Sequence, residues 1–292
     1  PISCPNDKLT ITKSKIVAEN TSKADDAEAI LAYECELNDC DVLGGYYYSG
    51  EDDGFVVNSF VDNKGKPMSD IEIRPISLRS HFYILGRQVN DVNAEDFAAK
   101  GWVEGKMELS SSHKLTLKDV YINAYEVNPD AAGIEILYAE GTENELRFDG
   151  DCGIIIGNKP ALNIESGNVT ITSTKGTWVE LVSVNDVGCN IASYKSLTLK
   201  ASVIFIGGMT GGLKGTSTSI LNLQRGEDSN YIFAGGDIIY EINIDKLLYP
   251  SFYMPSRANV SSSTTYPAFT VGKLVNEDGL GFDVANIDSW VE

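Results

Sequence analysis

The chain has 292 residues, 42% hydrophobic and 22% charged, and its 23 basic and 42 acidic side chains leave a formal charge of −19. That length and composition provide for one large core or two ordinary domains and exclude a disordered or low-complexity polypeptide. So acidic a surface repels phosphate backbones and anionic lipid, which argues against nucleic acid as a partner, and the longest weakly polar run, "VIFIGGMTGGL" from Val203 to Leu213, is far shorter than the roughly 20 apolar residues of a transmembrane helix.

In chain order, the first feature is the start itself. Pro1 follows no initiator Met or leader, as in a processed chain, and "PISC" resembles the end of a bacterial lipoprotein signal, which would make Cys4 the lipid-bearing residue. A stray cysteine is the simpler reading. Helical signals are confined to "KADDAEAILAYE" (23–34) and "NAEDFAAKGW" (93–102), where Ala, Glu and Asp concentrate. Elsewhere apolar residues alternate with period 2, rich in Thr, Val, Ile and Tyr and bounded by Gly, Asn, Asp and Ser, which predicts a mainly β protein.

Strand-like segments recur. "LTITKSKIV" begins at Leu9, "CELNDCDV" at Cys35, "LTLKDVYI" at Leu115, "LRFDGDCGI" at Leu146, "VTITSTKG" at Val169, "LTLKASVIFI" at Leu197 and "YIFAGGDII" at Tyr231. "FVVNSFV" at Phe55 and "HFYILG" at His81 loosely fill the long gap between Cys35 and Leu115. A weaker companion motif precedes them at Met107, Ile134, Leu162, Asn190 and Leu221. Units of about 28 residues with two or three short strands are too short for propeller blades and fit a parallel β-helix of eight or nine coils, each burying its inner face on its neighbours. On this scheme Ile136, Ile164 and Ile191 share one column. Residues 1–245 form the β-helix domain, with the longest irregular loops over 44–107, and 246–292, rich in Pro, Ser and Thr, form a C-terminal cap or tail. Two β-sandwich domains are the competing architecture.

The segments "ALNIESGNVTITS" and "NIASYKSLTLKAS" resemble the coils of secreted bacterial right-handed β-helix proteins, the pectin-lyase-like superfamily and carbohydrate-binding surface proteins of gut bacteria among them. The resemblance is best over residues 105–208. It implies the fold and a secreted or cell-surface setting, and no single activity.

The five cysteines are odd in number, and Cys35, Cys40, Cys152 and Cys189 fall in columns otherwise held by core apolar residues, so unpaired buried thiols are expected. "GGMTGGLKGTS" (207–217) lacks the Gly-Lys-Ser/Thr of a phosphate loop, and His81 and His113 sit in no nucleophile motif. The densest acidic cluster beside strands is "ENELRFDGD" (143–151). Were the chain an enzyme, Asp149 and Asp151, with Arg147, would be its acid/base set, and the same carboxylates could bind calcium. With so many acids in the chain, a solvated acidic face is the simpler account, and no cofactor is expected. Aromatics are more suggestive: Tyr46, Tyr47 and Tyr48 precede an acidic turn, and Tyr125, Tyr138 and Trp178, with Tyr121 and Tyr194, fall at or near strand ends. Flat aromatic faces stack on sugars while neighbouring polar groups take the hydroxyls. The expected function is therefore non-catalytic binding of glycan or another surface partner. A polysaccharide lyase or glycoside hydrolase on the same scaffold and an adhesin stalk are the alternatives.

Overall fold

The structure, a computed structural model, describes residues 1–22, 27–52, 55–200, 203–208, 211–215, 219–223, 231–235, 243–247, 251–253 and 270–271. Among them there is no α-helix, and the strands stack as a β-solenoid of about 7 turns. Three faces run along it. The first carries Glu143–Asp149, Asn168–Ser173 and Ser196–Lys200, the second Cys152–Ile156, Trp178–Ser183 and Val203–Gly208, and the third Ile134–Ile136, Leu162–Ile164 and Val187–Ile191. Lys114–Asn123 starts the ladder and bends across two faces. Its first half pairs with Glu145–Asp149 and its second with Gly153–Ile155, and the bend falls at Asp119, whose φ is +48°.

The alternation seen in the sequence now has its explanation. Inward residues lie on their equivalents one coil away: Ile136 on Ile164 and Ile164 on Ile191, all fully buried, in one column. Ile122, Ile154, Leu181 and Ile206 form a second such column. Each fully buried aliphatic side chain contributes about 1.5–3 kcal/mol, which lets strands as short as three residues hold their place. Polar side chains stack on the outside in the same register. Asn190 donates to Asn163 at 2.8 Å, and Asn163 donates to Glu135 at 3.2 Å.

The start of the solenoid is closed by antiparallel strands. Trp102–Ser111 folds back on Lys114–Asn123, while Arg79–Ile84 pairs antiparallel with Ile134–Ile136 and with Arg87–Asn90. This protects the open edge of the first coil. Upstream lies a second apolar cluster built on Ile11, Ile30, Cys35, Val42, Phe60 and Ile73, separate from the solenoid core that runs from Phe82 to Ile206. Here Ile2–Thr12 pairs in parallel with Ile30–Asn38, placing Leu9 beside Cys35, so the first sequence repeat is structural. Asp70–Pro75 lies between Ile16–Glu19 and Cys40–Leu43, and Tyr46–Asp52 forms a hairpin with Phe55–Val61.

Several expectations are corrected. Phe55 and His81 begin or lie in antiparallel hairpin strands, not coils, because period-2 alternation is common to both kinds of pairing. Met107 faces Leu117 across the closing hairpin. Leu146 stacks on Ile171 rather than Val169, and Tyr231 lies on the second face, on Val203, while Leu197 pairs with Leu221. The helix expected over 93–102 is a run of turns in which Ala94, Phe97, Ala98 and Ala99 are buried; small side chains there fill the closing layer rather than one face of a helix. Of the other helical segment, residues 23–26 lie outside the described residues, and Ile30–Glu34 is strand. The solenoid has about 7 turns, not eight or nine. In the proposed cap, Ser251–Tyr253 and Thr270–Val271 extend the parallel ladder, and the rest lies outside the described residues.

Candidate functional site

A concavity of about 550 Å³ lies where the Tyr46–Asp52 strand meets the closing layer of the solenoid. Its floor is an ion-pair network. Asp41 accepts hydrogen bonds from the Asn90 and Asn93 amides at 2.7 and 2.8 Å, from its neighbour Val42 N at 2.8 Å, and from the Arg87 guanidinium. Arg87 also donates to the carbonyls of Gly45 and Ala98, at 2.7 and 2.6 Å, and lies over the Phe97 ring. Both charges are therefore saturated. Arg79 at the rim donates to Asp39 at 3.0 Å and to Gln88 at 3.3 Å.

The three tyrosines have different tasks. Tyr47 packs on Phe60, with ring centroids 5.2 Å apart, and its hydroxyl accepts the Cys35 backbone N–H at 2.9 Å, so it holds the hairpin to the upstream core. Burial raises the phenol pKa of both Tyr46 and Tyr47. Tyr48 presents its ring to the cleft, with Lys100 Nζ 5.8 Å from the centroid, a cation–π distance. Lys100 is exposed and has no carboxylate partner among the described residues, and its carbonyl accepts a bond from Asn128 at 3.4 Å. Among the described residues the lining carries Arg79, Arg87 and Lys100 and the carboxylate of Asp41.

The remaining expected binding residues lie elsewhere and apart. Tyr125 follows the second face, where a hydrogen bond to Glu126 raises its phenol pKa. Tyr138 sits on the corner after the third face, and Trp178 begins a second-face strand, its indole donating to Glu180 at 2.9 Å. The acid set is dispersed into structural bonds: Arg147 donates to Asp149 at 3.1 Å, and Asp151 accepts the Trp178 backbone N–H at 3.0 Å. Among the described residues no group of three His, Cys, Asp or Glu side chains is placed to hold a metal ion, and no helix is long and apolar enough to cross a membrane. Cys35, Cys40, Cys152 and Cys189 are buried and unpaired. Burial pushes the Cys35 and Cys152 thiols up to about 11 and raises Cys189 further.

The sequence did not single out Lys100, Arg79 or Arg87. Lys100 belongs to the segment with helical composition, and Arg87 reaches Asp41 across 46 residues, a pairing that no local pattern announces. No family model, curated protein or solved structure matches this chain.

Proposed function

We propose that the protein binds polysaccharide at a cell surface or outside the cell without transforming it, and that the cleft between the hairpin and the closing layer seats an acidic sugar. The observation that carries this is the Lys100 ammonium above the Tyr48 ring, without a carboxylate partner among the described residues, in a cleft whose other two cations, Arg79 and Arg87, are paired with Asp39 and Asp41, on a chain of charge −19. A local reversal of charge on an acidic surface attracts an anion. An aromatic face beside it, with the Gln88 and Asn128 amides in the lining, suits a flat sugar ring bearing a carboxylate. Hydrolysis of a glycosidic bond uses two carboxylates across the scissile link, whereas among the described residues Asp41 is the one carboxylate in the lining and is taken up by Arg87, Asn90 and Asn93.

The test is calorimetric titration with oligogalacturonate and with a neutral oligosaccharide of equal length, while the absorbance of unsaturated products is followed. The acidic oligomer is expected to bind in preference, without product, and Lys100→Ala or Tyr48→Ala is expected to weaken it about tenfold, or about 1.4 kcal/mol. Equal affinity for both oligomers, or unchanged binding by Lys100→Ala, refutes the assignment. Accumulating unsaturated product would replace it with a lyase.

A further inference from the structure

The corner between the third and first faces carries two tyrosines in an unusual state. Tyr138 has φ +55° and Tyr194 φ +61°, and they are 81% and 79% exposed. A bulky side chain in the left-handed region is a backbone outlier, and glycine would occupy either position without that strain. The intervening coil does use glycine. Gly167, three residues after Ile164 as Tyr194 is three after Ile191, has φ +71°, and a Cβ there would meet the carbonyl of Ala139, the residue after Tyr138, at 2.6 Å; Tyr138 itself is two residues after Ile136, one position earlier on its corner. The two tyrosines thus lie on the coils either side of Gly167, Tyr138 one residue off its column.

Both are fixed in place. Leu137 N donates to His81 O at 3.0 Å and Ala139 N to Ser166 Oγ at 3.0 Å, on either side of Tyr138. The Tyr138 ring leans on Tyr83, centroids 6.2 Å apart and tilted by 59°. Lys195, next to Tyr194, reaches back past the intervening coil to Glu140, Nζ to Oε2 2.6 Å, tying the two corner turns together. Their backbones are two coil steps apart, on the order of 10 Å. Strain retained at exposed side chains, in a frame that prevents its release, points to use of those side chains.

We propose that Tyr83, Tyr138 and Tyr194 form a second, independent platform, on which a neutral, extended polysaccharide lies along the solenoid axis. One sugar ring stacks at the Tyr83–Tyr138 pair and another at Tyr194, with the linking sugar over Gly167. Neutral chains are favoured because the surrounding charges are acidic: Glu140, Glu143 and Glu165 are exposed here, and Lys195 is committed to Glu140. The Tyr83–Tyr138 part of the platform is preformed, which spares the entropy of ordering those two side chains.

Affinity electrophoresis in gels containing hydroxyethyl cellulose, galactomannan or polygalacturonate tests this. Retardation by at least one neutral polymer is expected, lost at least tenfold in Tyr138→Gly/Tyr194→Gly, with the melting temperature unchanged or raised because glycine relieves the strain. Lys100→Ala should leave this retardation intact, which separates the corner from the cleft. Neutral gels that do not retard the wild type, or retardation that survives in the double variant, overturn the proposal. So does a lower melting temperature in the double variant, which would make the tyrosines structural. Retardation by polygalacturonate alone would also overturn it while leaving the cleft assignment standing.

Discussion

Cys189 is fully buried and stacks on Leu162, an apolar neighbour in a column that excludes water. Such a thiol acts as a small hydrophobe, and its raised pKa follows from burial alone. The same cause raises Cys35 and Cys152, from 9.0 to about 11. The folded chain therefore holds these protons at pH values where the unfolded chain has lost them. Their contribution to stability is complete below about pH 9 and declines as pH rises toward the folded values, by about 1.4 kcal/mol per pH unit for each such thiol. Chemical denaturation at pH 8, 9 and 10 should show the midpoint falling, and less steeply in Cys152→Ala. In the native protein at pH 8 a thiol reagent should modify the half-exposed Cys4 and spare the four buried thiols until unfolding. Prompt labelling of more than one thiol per chain would contradict the buried columns. The two left-handed tyrosines are the residue-scale opposite: Cys189 gains by being where it is, whereas Tyr138 and Tyr194 each give up about 1–2 kcal/mol of backbone energy relative to glycine.

At the scale of elements, the closing hairpin decides whether the solenoid ends cleanly. Trp102–Ser111 covers an edge that would otherwise offer unpaired backbone groups to another chain. Its bend depends on Gly105, where φ is +117° and an added Cβ would lie 2.5 Å from Val120 Cα. Gly105→Ala should therefore detach this strand locally, with a loss on the order of 2 kcal/mol. It should also produce concentration-dependent association beyond that of the wild type in light scattering; a variant with wild-type association and wild-type stability would show the hairpin is not the seal. This element also marks the limit of what the sequence discloses. Register within the coils was legible in the column Ile136–Ile164–Ile191, because burial of one face forbids a one-residue slip, although the companion motif placed at Asn190 starts one residue earlier, with Cys189 on Leu162. The hairpins at Phe55 and His81 alternate just as the coils do, and direction of pairing leaves no trace in period. The candidate site was half legible. The Tyr46–Tyr48 run stood out by composition, but Lys100 and Arg87 join it only through tertiary pairing, and Tyr83 meets Tyr138 across 55 residues.

For the whole molecule, the question is how two apolar clusters act as one protein. The upstream cluster ends at Ile73 and the solenoid core begins at Phe82, and a solenoid by itself couples only neighbouring coils. The hydrogen bonds and ion pairs that link them are spread along the junction. Arg87, on a closing strand of the solenoid, binds Asp41 and the Gly45 carbonyl upstream; Gly44 N donates to Asp96 O at 3.0 Å; and Asn63 Oδ1 accepts the Ala99 N–H at 3.0 Å. Arg87 and Asp41 are 16% and 14% exposed, so removing one partner leaves the other charge poorly solvated, a loss of about 3–5 kcal/mol. That loss falls on the junction and not on either core. Arg87→Ala is thus expected to split thermal unfolding in calorimetry into two transitions, the lower from the upstream unit and the upper near the wild-type solenoid value. Arg87→Lys, which keeps the charge but not the fork of donors, should fall between. The cleft shares this junction, so oligogalacturonate should raise the lower transition of Arg87→Ala wherever binding survives. A single transition displaced by less than about 1 kcal/mol would mean that the two clusters are joined by packing, and that the Asp41–Arg87 pair is incidental to both stability and the cleft.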